Sequence, residues 1–135
     1  MNSLIGGGSG LVPLVAMAEH HALARPAAPM VLVAGVRALA DVVRWSELQR
    51  WEAQGHGFAC RLALSREACA PRPQDHAGRL READLAAAMQ FLADRAAQSA
   101  AVYVCGRNAF VETVVSLLRT LGVPDNSVRT ERFGG

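Results

Sequence analysis

Five residues near the start, Gly6-Gly7-Gly8-Ser9-Gly10, are the segment of this sequence best equipped for chemistry. They lie between a short apolar run ending at Leu4-Ile5 and a helix-like stretch from Leu11. In that place backbone N–H groups and a helix N-terminus can cradle a pyrophosphate, and the Ser9 hydroxyl adds a donor. The run is not a Walker motif, because no Gly-Lys-Ser/Thr follows. Nor is it a clean G-x-G-x-x-G fingerprint, because Pro13 stands where Gly8 and Gly10 call for a third glycine. A turn of this composition also serves as a plain tight connection, so both readings stand at this level.

The other reactive side chains narrow the choice. All 14 basic residues are Arg, which removes the Walker lysine, the Schiff-base amine and the general-base amine together. What remains is a planar guanidinium suited to phosphate and carboxylate groups. Three cysteines, Cys60, Cys69 and Cys105, form no C-x-x-C pair, so neither a disulfide framework nor a four-ligand zinc site is indicated, and a reducing cytoplasm is expected. His20 and His21 are expected on a polar helix face and His56 and His76 in loops, without the spacing of a metal site. The formal net charge of +2 is small and scattered, which argues against nucleic acid and membrane surfaces as partners. The apolar start is broken by the glycines and by Glu19-His20-His21 and has no preceding basic stretch, so no signal peptide is expected. No window is long and apolar enough to span a bilayer.

The elements that must hold these residues alternate between short strand-like runs and longer helix-like ones, the pattern of crossover units on a parallel sheet. Strands are expected at Met1 to Ile5, Met30 to Ala34, Phe58 to Leu64, Ala101 to Cys105 and Val128 to Arg132. Helices are expected at Leu11 to Leu23, Asp41 to Gln54, Glu82 to Arg95 and from Asn108 to about Leu121, with Pro26 and Pro29 breaking the chain after the first. Ser65 to Gly78 reads as a surface loop. The fold class is therefore α/β, with five strands and four helices in one domain over residues 1–135. The first strand is short for the centre of a sheet, where about five or six residues are usual; it is either a short strand or the start of a chain cut from a longer one.

Several segments together resemble a known family. Gly7-Gly8-Ser9-Gly10-Leu11-Val12-Pro13 is similar to the G-G-S/T-G-I/L-A/V-P motif that opens the nucleotide domain of ferredoxin reductase-type flavoenzymes. Gly35-Val36-Arg37, Glu47-Leu48, Leu64-Ser65-Arg66, Gly78-Arg79, Tyr103-Val104-Cys105-Gly106 with Phe110-Val111-Glu112, and Thr130-Glu131-Arg132-Phe133-Gly134 follow in the family's order over nearly the whole chain. Two departures stand out: Arg107 replaces a common Pro, and Arg44 stands where many relatives have Tyr. The resemblance implies a three-layer sandwich whose parallel sheet has the order 3-2-1-4-5, with helices on both faces.

It also implies roles. Gly7, Gly8, Ser9, Gly10 and Pro13 would form the pyrophosphate turn. Cys105, Gly106 and Arg107 would lie by the nicotinamide, and Cys105 is either a contact there or inert packing, not a nucleophile. Ser65-Arg66 would meet an adenosine 2′-phosphate, favouring NADPH over NADH by one to two decades if each charge-assisted hydrogen bond contributes roughly 1.5–3 kcal/mol. Arg37 and Arg79 are further candidates for ribose or phosphate contact, Cys105 and Glu131 are the catalytic candidates, and Glu131 and Phe133 would approach the flavin. Hydride transfer demands that the nicotinamide carbon be held about 3–3.5 Å from the accepting flavin nitrogen. These 135 residues have no room for a flavin barrel and contain no R-x-Y-S/T motif, since Tyr103 is the only Tyr. FAD is therefore expected only through another domain or chain. The chain is then a subunit docking on a separate flavoprotein or electron acceptor, a fragment of a longer reductase, or a non-catalytic nucleotide-binding module.

Overall fold

The computed structural model describes residues 3–24, 28–55, 57–95 and 101–134. Among these residues five parallel strands form one sheet in the order β3-β2-β1-β4-β5. They are β1 (Ser3–Gly7), β2 (Met30–Val36), β3 (Phe58–Leu64), β4 (Val102–Gly106) and β5 (Val128–Arg132). Four helices join them: α1 (Leu11–Ala24), α2 (Trp45–Ala53), α3 (Glu82–Asp94) and α4 (Asn108–Thr120).

The sheet's two faces bury separate cores, as the alternation of β-strand side chains requires. On one face Leu32, Ala34 and Val36 of β2 and Cys60, Leu62 and Leu64 of β3 pack with Leu11, Leu14 and Ala18 of α1 and with Leu48 and Trp51 of α2. On the other, Ile5, Val31, Val33 and Val104 pack with Leu85, Ala88 and Leu92 of α3 and with Val111, Val114 and Leu118 of α4. Each fully buried side chain of this size contributes about 1.5–3 kcal/mol, so both helix layers are held by the sheet. The three-layer arrangement and strand order agree with those expected from the sequence.

Three local expectations are corrected. The first strand does not end at Ile5 but runs into the glycines, with Gly6 and Gly7 in register with Ala34 and Gly35 of β2. Glycine weakens a strand in isolation, but here β2 and β4 flank β1 on both sides and fill the ladder. The helix expected from Asp41 starts only at Trp45: Leu39–Asp41 is a short 3-10 turn, and Arg44 adopts a left-handed conformation (φ 53°) that no α-helix accepts. That strained residue is held by ion pairs to Glu19 of α1 and Glu47 of α2 and by its guanidinium lying 5.3 Å from the Trp51 ring centroid. Finally, His21 is not on a polar face: it is buried, and its Nε2 pairs with the Ala28 carbonyl. Met1, Pro26 and His56 lie outside the described residues.

The loop between β3 and α3 is tied to the sheet. His76 N–H donates to Leu62 O and Leu64 N–H to His76 O, 2.8 Å each, so the loop returns alongside β3. Arg72 anchors it, pairing with Asp75 (2.8 Å) and Glu52 of α2, donating to the Cys60 carbonyl and lying over the Trp45 ring. No helix among the described residues is long and apolar enough to cross a membrane.

Candidate functional site

The strand order reverses direction between β1 and β4. From β1 the chain leaves into α1 on one face and from β4 into α4 on the other, which opens a crevice at the carboxyl ends of these strands. Gly8 turns the chain out of β1 with φ 54°, a left-handed value that favours glycine, and Gly8–Gly10 form a 3-10 turn feeding α1. Gly10 is fixed from below, since a Cβ there would stand 2.4 Å from the Cys105 carbonyl oxygen. Gly8 and Ser9 are left exposed at the crevice mouth. Pro13 sits in the first turn of α1, where a missing N–H removes no helical bond.

The helices around this crevice differ in the charges of their first turns. α2 and α3 carry acidic residues in their first turns (Glu47; Glu82 and Asp84), the usual complement to the positive helix end. α1 and α4, whose N-termini flank the crevice, carry none. Both positive ends are thus left for a ligand to neutralise.

The cleft has a volume of about 900 Å³. Its walls are the turn Gly7, Gly8 and Ser9; the segment after β2 from Gly35 to Arg37, with Asp41 and Val43; Ala63 and Ser65 at the end of β3; Arg79 and Leu80; and Arg107, Ala109, Phe110, Thr113 and Val114 around the start of α4. Phe110 forms part of the floor. Its ring lies so close to three strand ends that a Cβ on Gly7 or Gly106 would fall 2.7 Å from it, and one on Gly35 3.0 Å. Arg37, Arg79 and Arg107 come from three separate connections, and among the described residues none has a carboxylate partner. Outside the cleft, Arg44, Arg50, Arg72, Arg81, Arg119 and Arg132 pair with carboxylates, whereas among the described residues Arg61, Arg66, Arg95 and Arg129 do not. The cleft therefore collects unneutralised guanidinium groups and two helix N-termini, the physical means for holding a polyanion.

Seven of the residues singled out in the sequence, Gly7, Gly8, Ser9, Arg37, Ser65, Arg79 and Arg107, line this one cleft. Gly10 supports it from beneath. Arg66 is exposed just beyond the lining, with its N–H bonded to the Arg37 carbonyl at 2.9 Å. Cys105 is fully enclosed, and burial first, then the charge of Glu131, pushes its thiol up to about 11. It is thus a neutral thiol at physiological pH. Glu131 pairs with Cys105 across β4 and β5, and its charge raises the Tyr103 hydroxyl as well. Phe133 N–H donates to Gly106 O at 2.9 Å, which brings the C-terminal segment against the turn before α4. Sequence reasoning passed over Asp41, Leu80, Phe110 and Thr113 as cleft residues. The glycines at the ends of three strands were the available sign that something bulky covers them.

Comparison with known proteins agrees with this geometry. The profile of the oxidoreductase NAD-binding domain family matches residues 4–116. The flavohemoprotein of Rhodopirellula baltica is 31% identical over 132 residues, covering 97% of this chain and 31% of that protein. The flavohem-like FAD/NAD-binding domain of nitric oxide dioxygenase from Vibrio cholerae superposes with a TM-score of 0.75 at 19% identity, covering 98% of this chain and 51% of that one. The cytochrome P450 reductase of Amycolatopsis has a TM-score of 0.72 at 28% identity, with 97% of this chain and 37% of that one covered. The chain thus spans about a third of the length of its flavohemoprotein relative.

Proposed function

The chain belongs to the oxidoreductase NAD-binding domain family, and from that premise we propose that its cleft holds NADPH or NADH and presents the nicotinamide to a flavin carried outside these residues. The observation that carries the reading is the convergence of two helix N-termini without first-turn acids and three unpaired arginines on one cleft. In this reading the chain acts as one nucleotide-binding unit. The Gly8–Ser9 turn and the start of α4 would hold the pyrophosphate, as dipoles and backbone N–H groups do at such helix ends. Arg37, Ser65 and Arg79 would serve the adenosine end, with Arg66 reaching a 2′-phosphate from the rim, while Gly106 and Arg107 flank the nicotinamide end.

The bound nicotinamide supplies a hydride, and the protein's part is positioning. Cys105 and Glu131 fit that division of labour: the thiol stays neutral beneath the turn, and the carboxylate stands beside it on β5. Phe133, held to Gly106, would face the flavin side. A flavoprotein or flavin domain is the partner this requires, with no nucleic acid or membrane involved. The three free thiols support a reducing cytoplasm as its compartment.

The test replaces Arg79 or Arg107 with Ala and measures nucleotide affinity by calorimetry. Loss of one charge-assisted contact of roughly 1.5–3 kcal/mol corresponds to one to two decades in Kd. Unchanged affinity in both variants would remove the cleft from the account.

A further inference from the structure

The corner where β2 and β3 end is locked by its own backbone. Ser65 N–H donates to Val36 O and Arg66 N–H to Arg37 O, both at 2.9 Å, so the pairing of β2 with β3 continues past the strands. Leu39 N–H donates to Glu67 Oε2 at 3.2 Å, tying the 3-10 turn after β2 to the segment after β3. Asp41 closes that turn: its N–H donates to Ala38 O at 3.0 Å, and its Oδ2 accepts from Ala38 N–H at 3.2 Å. Among the described residues its other oxygen, Oδ1, accepts nothing, and Asp41 is exposed on the cleft wall with Arg37 and Ser65. Glu67 is spent on the Leu39 backbone and stands outside that wall. Among the described residues Asp41 is the one carboxylate that lines the cleft.

Resting on the nucleotide-binding reading, we propose that Asp41 is a specificity-determining residue at the adenosine end, opposing a 2′-phosphate and accepting a hydrogen bond from an unphosphorylated ribose. An ionised carboxylate accepts only, so a ribose hydroxyl is a matching partner and a phosphate dianion at the same place is repelled. Arg66 on the rim pulls the other way. The preference between the two nucleotides is the difference of these terms, and a single repulsive group is an effective means of setting it.

The experiment compares Asp41→Asn and Glu67→Gln with the unaltered chain in calorimetric titrations with NADPH and NADH. Both variants remove one negative charge. The side-chain amide introduced by Asp41→Asn keeps an oxygen for the Ala38 N–H, so the turn is retained, and circular dichroism checks the fold. The expected result is a rise of about tenfold in the ratio of NADPH to NADH affinity for Asp41→Asn, the size of one lost charge contact, and an unchanged ratio for Glu67→Gln. Binding with the ratio unchanged in Asp41→Asn, or raised equally in both variants, overturns the role of Asp41 and leaves the nucleotide cleft standing. Absence of binding to all three folded proteins overturns the nucleotide reading itself, and this inference with it.

Discussion

The ring of Phe110 lies against Gly7, its Cδ1 2.7 Å from where a β-carbon on that residue would stand. The contact joins the first residue pair of the cleft across its floor: Gly7 ends β1 and Phe110 belongs to the first turn of α4. Any side chain at Gly7 must displace the ring, which lines the cleft. Gly7→Ala is therefore expected to cost about 1–3 kcal/mol by overpacking and to weaken nucleotide binding. Phe110→Ala in the same chain should relieve part of that cost, giving a non-additive double-mutant cycle in urea titrations. Additive effects would contradict the packing described.

Gly10 makes the harsher case. The atom a Cβ would meet is the carbonyl oxygen of Cys105, part of a central strand, at 2.4 Å. Backbone in a paired ladder cannot turn aside as a ring can. Gly10→Ala is expected to destabilise by more than about 3 kcal/mol, seen as loss of the cooperative thermal transition.

Replacing Arg66 with Ala should weaken NADPH binding by about one to two decades and leave NADH unchanged, as loss of a charge-assisted contact to a 2′-phosphate predicts. Paired titrations of the variant check it, and equal losses for both nucleotides would count against Arg66 as the phosphate contact.

Arg72 is a structural clamp with a functional consequence. Its removal leaves the buried carboxylate of Asp75, which also accepts from Leu62 N–H at 2.9 Å, without its cation. Breaking a buried pair costs about 3–5 kcal/mol when fully enclosed. Since Arg72 is partly exposed, about 2 kcal/mol is the expected loss in urea unfolding of Arg72→Ala. The loop leading to Arg79 loosens with it, so hydrogen exchange across residues 72–79 should accelerate.

The buried thiols make stability fall as pH rises into the alkaline range. Burial raises Cys60 to about 12 and Cys105 to about 11, from an ordinary value of 9.0. Both are neutral in the folded chain, where the unfolded chain already ionises. Their contribution is thus complete below pH 9 and is lost as pH rises through the folded values. By pH 10.5 each should have lost on the order of 1–2 kcal/mol. Urea midpoints at pH 8 and 10.5 check this, and Cys105→Ala should fall less steeply. At pH 8, iodoacetamide should label exposed Cys69 and spare both others.

Much of this architecture was legible in the residues. The alternation Phe58, Cys60, Leu62, Leu64 placed β3 at its observed bounds, and Gly122 and Pro124 closed α4, because burial on a pleated face and chain-breaking residues are local signals. The failures have long-range causes. Asp41 to Arg44 looked helical because nothing in the segment announces that Glu19, twenty-five residues earlier, holds Arg44 in a left-handed conformation. His21 looked exposed because its partner is a backbone carbonyl beyond the helix. Phe110 was legible as a helix residue but not as the cover over three glycines, since that role depends on three strands converging. Of the cleft, the Gly-rich turn and the arginines were readable by type, whereas Asp41 was hidden inside a segment read as helix.

Titrating the purified, flavin-free chain with NADPH and NADH in a calorimeter, beside adenosine as an uncharged control, tests whether the cleft holds the nucleotide. Saturable one-site binding of both nucleotides is expected, weakened by added salt because guanidinium and helix-end contacts to phosphate are screened, with no comparable binding of adenosine. A folded chain that binds neither nucleotide would contradict it.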